Sequence, residues 1–166
     1  MGEKILDAVV AVYSDWGIGC SGTQPVVIPE DRKYFAALTR GAAVIVGRKT
    51  LEDCPGGRPL PGRVNIVMTR RDLVGENVVA VHDVAEALAE AEKHDRVFVI
   101  GGESVFLEMF PHIDRVFVTK IECEPHSEVF FPNLDEEPGW RCIDPGEPLF
   151  CGDTEYSFRV YERVRT

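Results

Sequence analysis

No apolar run in the chain approaches the ~20 residues that a membrane-spanning helix needs. The first six residues, Met1-Gly2-Glu3-Lys4-Ile5-Leu6, lack the layout of a secretory signal. They also fail the myristoylation pattern, because Leu6 stands where Ser or Thr is required. Cysteine is present but unorganised. Cys20, Cys54, Cys123, Cys142 and Cys151 form no CxxC pair and no zinc spacing, and their number is odd. They read as reduced thiols of a cytoplasmic protein. The four histidines are scattered, with no ligand partner at helical spacing, so no metal site is expected. Repeats, low-complexity tracts and composition shifts are missing, which predicts a single domain over residues 1–166. Basic charge is scarce: 18 Lys and Arg against 28 Asp and Glu give a net charge of −10, which repels nucleic acid and anionic membranes.

The charge that is present is unevenly spread. Between Arg48 and Arg71 lie Arg48, Lys49, Arg58, Arg63, Arg70 and Arg71, against only Glu52 and Asp53. Between Glu122 and Glu137 there are six acids and no Lys or Arg. A basic segment inside an acidic chain suits a compact anionic ligand, a phosphate or carboxylate, although a merely solvated basic face is the common alternative.

Short apolar runs alternate with helical patterns. Leu6 to Tyr13, Ala42 to Val46, Val64 to Met68, Val78 to Val81, Val97 to Ile100 and Val116 to Ile121 read as strands. Residues 14 to 24 read as a mobile glycine-rich loop, and Pro55 to Gly62 cannot be regular structure. Helices are predicted after Pro29, over Arg48 to Asp53, from Val84 to His94 and from Ser104 to Phe110. Trp140 to Ile143 and Tyr156 to Arg163 look like a pair forming an antiparallel edge. The alternation predicts an α/β domain with a mostly parallel sheet and helices on both faces. Ligands of such sheets bind beyond the carboxyl ends of the strands. Three segments fall there: Gly47-Arg48-Lys49-Thr50, Thr69-Arg70-Arg71 and Gly101-Gly102-Glu103-Ser104. The first and third each open a helix, and helix N-termini offer free N–H groups to phosphate. None of the three matches the Rossmann GxGxxG or the Walker P-loop.

Asp31 is the candidate of greatest chemical interest. In the helix after Pro29, Asp31, Phe35 and Leu38 fall on one stripe that should face the core. A carboxylate in that position either finds strong partners or shifts its pKa, and such groups gather at functional sites. The plainer alternative is an acid favouring the positive end of its helix.

Seven stretches stand in a telling order and spacing: Ile18-Gly19, Ile28 to Phe35, Val44 to Thr50, Arg58 to Val67, Val99 to Gly102, Val118 to Ile121 and Phe130-Phe131-Pro132. Together they resemble dihydrofolate reductases over nearly the whole chain. The resemblance is to the bacterial type. It implies a mixed, mostly parallel eight-stranded sheet with about four helices, and reduction of 7,8-dihydrofolate to tetrahydrofolate by NADPH in one-carbon metabolism. It also implies a cytoplasmic, often monomeric antifolate target. By the same resemblance Asp31 is the pterin-binding acid. It bonds the 2-amino group and N3 and favours protonation at N5 through water while hydride reaches C6. Phe35 packs on the pterin or benzoyl group, Arg63 clamps the α-carboxylate of the glutamate tail, and Thr119 bonds Asp31 or its water. Val9, Val10, Leu60 and Ile100 complete the substrate site. Ala11, Ile18 and Gly19 belong to the nicotinamide side. Gly47, Arg48, Lys49, Thr50, Thr69 and Arg70 match cofactor phosphate positions, and the cations there imply NADPH over NADH. Gly101 and Gly102 match a pair joined by a cis peptide, and Glu103, Ser104, Val105 and Phe106 follow it along the cofactor.

Departures from the family pattern are equally specific. Pro25 is followed by Val26 and Val27 where a Trp usually helps hold water near the pterin, which leaves the proton route to Gln24 or solvent. Phe106 replaces a common Tyr, Glu128 a common loop-tethering Asp, and Arg32 an apolar residue next to the acid. Pro55-Gly56-Gly57 lengthens a connection. Two alternatives stand beside the resemblance: a same-fold pyrimidine reductase of riboflavin synthesis, and a non-catalytic nucleotide-binding module that kept the fold.

Overall fold

The computed structural model describes residues 5–19, 28–52, 60–70 and 77–164. Its frame is set by strands whose side chains alternate between two covered faces. In β1 (Asp7–Tyr13), Ala8, Val10 and Val12 enter the larger core cluster, while Val9 joins a second cluster on the opposite face. β6 (Val97–Gly101) repeats the pattern, with Val97 and Val99 on one side and Phe98 and Ile100 on the other. Strands apolar on both faces belong inside a parallel sheet, where both sides are buried.

The remaining strands are β2 (Gly17–Gly19), β3 (Ala43–Gly47), β4 (Val64–Met68), β5 (Val78–Val81), β7 (Arg115–Ile121), β8 (Val129–Phe130), β9 (Trp140–Asp144), β10 (Leu149–Cys151) and β11 (Thr154–Arg163). The main sheet runs β10-β11-β7-β1-β6-β3-β4-β5, with β9 paired to β11 off this path. β1 pairs in parallel with β6 and β7, and β3 with β4 and β6. β11 enters antiparallel to β7. The result is the expected mostly parallel mixed sheet.

Four helices serve it. α1 (Pro29–Thr39) starts with Pro29 in its first turn, after extended Ile28. Its Phe35 and Leu38 pack on the face that carries Val9 and Phe98, and Tyr34 stacks on Phe158 of β11 at 4.2 Å. α2 (Arg48–Glu52) and α4 (Glu103–Met109) each follow a strand directly. α3 (Val84–Ala91) is capped by Asp83, whose carboxylate accepts from the Glu86 N–H at 2.8 Å. Ala87 and Ala91 of α3 and Val105, Phe106 and Met109 of α4 cover the face opposite α1.

Three expectations need correction. The loop after β1 contains a short strand: β2 pairs antiparallel with β8, and the Phe131 N–H donates to the Trp16 carbonyl at 2.9 Å. The helix after Gly101-Gly102 begins at Glu103 and ends at Met109, followed by a 3-10 turn over Phe110–His112 that holds Pro111. The two C-terminal strands, β9 and β11, pair antiparallel as expected, but β11 is not an edge. β11 lies inside the sheet between β7 and β10 and also takes β9. Tyr156 and Tyr161 are buried by that position. Pro25, Val26, Val27, Cys20, Cys54, Arg58 and Arg71 lie outside the described residues, as does the Pro55-Gly56-Gly57 insertion.

Candidate active site

A cleft of about 1150 Å³ opens at the carboxyl ends of β3, β4 and β6 and runs along α1. Its size exceeds the upper end of the common range for a single small ligand, roughly 1000 Å³, so two molecules can lie side by side. One half is apolar, with Val9, Val10, Ala11, Ile18, Phe35, Ile100 and Phe106. The other half carries Arg48, Lys49, Thr50, Thr69, Arg70 and Ser104.

Asp31 is the only carboxylate on the α1 side of the cleft among the described residues. It sits in the first turn of α1, its N–H donating to the Ile28 carbonyl at 3.0 Å. The Thr119 hydroxyl, brought across from β7, donates to Asp31 Oδ1 at 2.5 Å. Oδ2 has no partner among the described residues and is left for a ligand. Burial raises the carboxyl's pKa above the ordinary carboxylate range, against the lowering effects of the Thr119 hydrogen bond and the Arg32 charge. An acid held this way suits a neutral heterocycle that offers adjacent N–H donors and must gain a proton.

Backbone geometry shapes the cofactor side. The Gly101-Gly102 peptide is cis, as the resemblance implies. Gly101 has φ +121, a region that side chains rarely adopt. A Cβ on Gly102 would meet the Thr50 hydroxyl at 2.9 Å, so α2 and the turn before α4 are in direct contact. The His82 ring bonds the Thr69 carbonyl at 2.7 Å and fixes the turn after β4. The Glu103 carboxylate accepts from the Phe130 N–H at 3.0 Å, tying α4 to the β2–β8 ribbon. The donor set of cations, hydroxyls and an apolar slot fits a phosphorylated dinucleotide carrying a flat ring.

Arg63 is set by the fold rather than by the cleft lining. Its Nε donates to Thr39 Oγ1 at 3.1 Å, Nη1 to the Pro61 carbonyl at 2.6 Å and Nη2 to the Ala36 carbonyl at 2.7 Å. Three of five N–H groups are thereby used and one remains on each terminal nitrogen, a fork matched to a carboxylate.

Most of the residues singled out from the sequence meet here. Gly47, Gly101, Gly102, Glu103 and Val105 line the cleft with those already named. Leu60, Arg63 and Thr119 stand outside the described lining; Thr119 acts through Asp31, and Leu60 is held by paired hydrogen bonds with the Asn65 side chain. Gly19 lies in β2. Sequence reasoning missed Met68, His82, Glu108 and Val129 as cleft residues, whereas Arg32 lines the cleft beside the acid as its place in the family pattern implies. Met68 and His82 directly end or follow β4 and β5, so the strand-end rule could have found them. Val129 arrives through the β2–β8 pairing, for which the sequence carries no local signal.

A protein-family model described as dihydrofolate reductase matches residues 5–163. The dihydrofolate reductase of Staphylococcus haemolyticus is 32% identical over 165 residues, covering 96% of both chains. That of Bacillus subtilis (strain 168) is 34% identical over 162 residues, covering 96% of this chain and 95% of that one. Among solved structures, a dihydrofolate reductase from Enterococcus faecalis complexed with NADP(H) and RAB-propyl superposes with a TM-score of 0.85 at 33% identity, covering 97% of each chain. None of these findings favours the pyrimidine reductase or the non-catalytic module.

Proposed function

We infer the workings of the cleft from the premise that this chain belongs to the dihydrofolate reductase family. It is an NADPH-dependent oxidoreductase that reduces 7,8-dihydrofolate to 5,6,7,8-tetrahydrofolate, a step of one-carbon metabolism. It binds a small-molecule substrate and antifolates, and no helix among the described residues is long and apolar enough to cross a membrane.

The observation that carries the residue-level reading is the half-buried Asp31 carboxylate, bonded by Thr119 on one oxygen and open to the cleft on the other. Asp31 holds the 2-amino group and N3 of the pterin and fixes the ring's orientation. Phe35 and Ile100 pack against the ring and benzoyl faces, together with Val9 and Val10 behind Asp31. Arg63 binds the tail's α-carboxylate with the N–H groups that Pro61, Ala36 and Thr39 leave free. On the cofactor side Arg48, Lys49, Thr50, Thr69 and Arg70 hold phosphate, and Ala11, Ile18 and Phe106 line the nicotinamide. When bound, NADPH supplies the hydride that the pterin accepts at C6. The chain's own part in the proton step is to hold Asp31 beside the pterin and to bias N5 toward protonation by water.

The order of residues supports one domain over the whole chain, since the main sheet takes strands from β1 to β11. A cytoplasmic monomer fits the unpaired cysteines Cys123, Cys142 and Cys151 and the absence of an apolar exposed helix face among the described residues. The test of the assignment is loss of NADPH absorbance on adding dihydrofolate, repeated with Asp31→Asn. The wild type turns over and the variant loses about 10²-fold or more in kcat at neutral pH. Equal rates would remove Asp31 from the mechanism.

A further inference from the structure

Asp31, Arg32 and Phe35 are the α1 residues that line the cleft. Arg32, Phe35, Ala36 and Thr39 stand at i, i+3, i+4 and i+7 and therefore share a face. Arg63 occupies the far end of that stripe, bonded to Ala36 and Thr39. Arg32 occupies the near end, exposed and lining the cleft beside Phe35. The two arginines differ in one respect. Arg63 is tied down by three internal hydrogen bonds, whereas Arg32 has no hydrogen bond or ion pair among the described residues. Lys33 and Arg40 are also exposed cations of this segment, but neither lines the cleft.

We propose that Arg32 is a specificity-determining residue that binds the second carboxylate of the substrate's glutamyl tail. This rests on the reading of the cleft as the dihydrofolate site and of Arg63 as the α-carboxylate clamp. The lengths agree. Four residues of α1, about 6 Å of rise, separate Arg32 from Ala36, whose carbonyl is one anchor of Arg63. The two carboxyl carbons of a glutamate lie about 5 Å apart on ordinary bond lengths. With the α-carboxylate on Arg63, the chain beyond Cγ can turn back along the stripe toward Arg32. In dihydrofolate that second group is the γ-carboxylate. In γ-linked polyglutamates the γ position is an amide, and the next free carboxylate belongs to the following glutamate, a few bonds farther out. A long side chain with no internal partner can follow either position, and a guanidinium binds carboxylate better than an ammonium does.

The experiment compares steady-state kinetics of wild type, Arg32→Gln, Arg32→Lys and the control Lys33→Gln. The substrates are 7,8-dihydrofolate, its γ-linked diglutamate, and 7,8-dihydropteroate, which has the same ring and benzoyl group but no glutamate. For Arg32→Gln, KM for dihydrofolate rises roughly three- to tenfold, the range of one exposed charge-assisted contact, with kcat moving far less. KM for dihydropteroate moves far less than KM for dihydrofolate, Arg32→Lys recovers part of the loss, and Lys33→Gln gives the wild-type ratio. The wild-type ratio of the two KM values falls as salt is added. A rise confined to the diglutamate assigns Arg32 to the outer glutamate rather than the γ-carboxylate. Equal KM changes on dihydrofolate and dihydropteroate, or a shift in the pH profile on both, would mean that Arg32 only tunes Asp31 and would overturn the proposal. No change on any substrate would make it a solvated surface cation, with the same consequence. If the wild type reduced neither substrate, the functional reading itself would fail, a result distinct from all of these.

Discussion

Asp31, on which the proposed chemistry turns, also carries a cost. Burial holds its carboxyl pKa above the ordinary range, so the folded chain binds that proton more tightly than the unfolded chain does. The group's contribution to stability is therefore complete below the unfolded carboxylate pKa and is lost as pH rises through the folded value. At neutral pH the ionised side chain opposes folding. Asp31→Asn, inactive as argued above, is expected to melt at or above the wild-type temperature at pH 7, with the margin closing toward pH 4; thermal unfolding across that range checks it. Thr119 acts in the opposite sense, because its hydroxyl bonds the charged form. Removing it with Thr119→Val raises the Asp31 pKa further and moves the corresponding limb of the pH–rate profile upward; an unmoved profile would separate Thr119 from the acid. Arg32 introduces a third test at this scale. Diaminopyrimidine antifolates have no tail for it to hold, and they meet a charged residue where relatives offer an apolar one. Weaker binding of such compounds than in those relatives is expected, and a nanomolar inhibition constant would refute it.

Elements gain their stability from caps and from pairs between neighbouring strands. Asp83 closes the N-terminus of α3, and Asp83→Ala is expected to cost about 1 kcal/mol in a denaturant titration. The register of β1 on β7 begins with Asp7 opposite Arg115, and that pair is bonded twice, at 3.0 Å each. Arg115→Ala leaves a buried carboxylate without its partner and is expected to cost about 3 kcal/mol, the lower end for a broken buried pair; because the Arg115 side chain is partly exposed, a larger loss is not expected. Legibility in the sequence followed element length. β4 and β5 lie where their Val-rich runs place them, since four of five residues in β4 and all four in β5 are apolar and carry their own signal. β2, β8 and β10 have three, two and three residues, too few to show any period. Each exists because a partner strand satisfies its backbone, which no local pattern reveals.

The whole molecule joins a strongly acidic chain to a cleft whose cofactor side carries Arg48, Lys49 and Arg70 among the described residues. A cofactor that binds only the folded state stabilises it by mass action, about 2.7 kcal/mol at 100 times its Kd. NADPH is therefore expected to raise Tm more than NADH at equal concentration, with the difference shrinking as salt is added. Equal shifts would mean that the cations do not read the extra phosphate. The β2–β8 ribbon carries Ile18 and Val129 into the cleft and is tied to α4 through Glu103, so this wall of the cleft is built from segments more than a hundred residues apart.

The amino-acid order alone determined most of the strand and helix frame, the glycine turns at the strand ends and the presence of a carboxylate in the apolar stripe of α1. Those signals are periodicity, backbone permissiveness and a carboxylate in an apolar stripe, all written within a few residues. Only the tertiary structure decided that β11 lies inside the sheet, that Thr119 reaches Asp31 across 88 positions, that Arg63 spends three N–H groups on its own chain and that Arg32 faces the cleft with none spent. Those facts depend on which segments meet, and meeting is settled by the packing of both sheet faces at once.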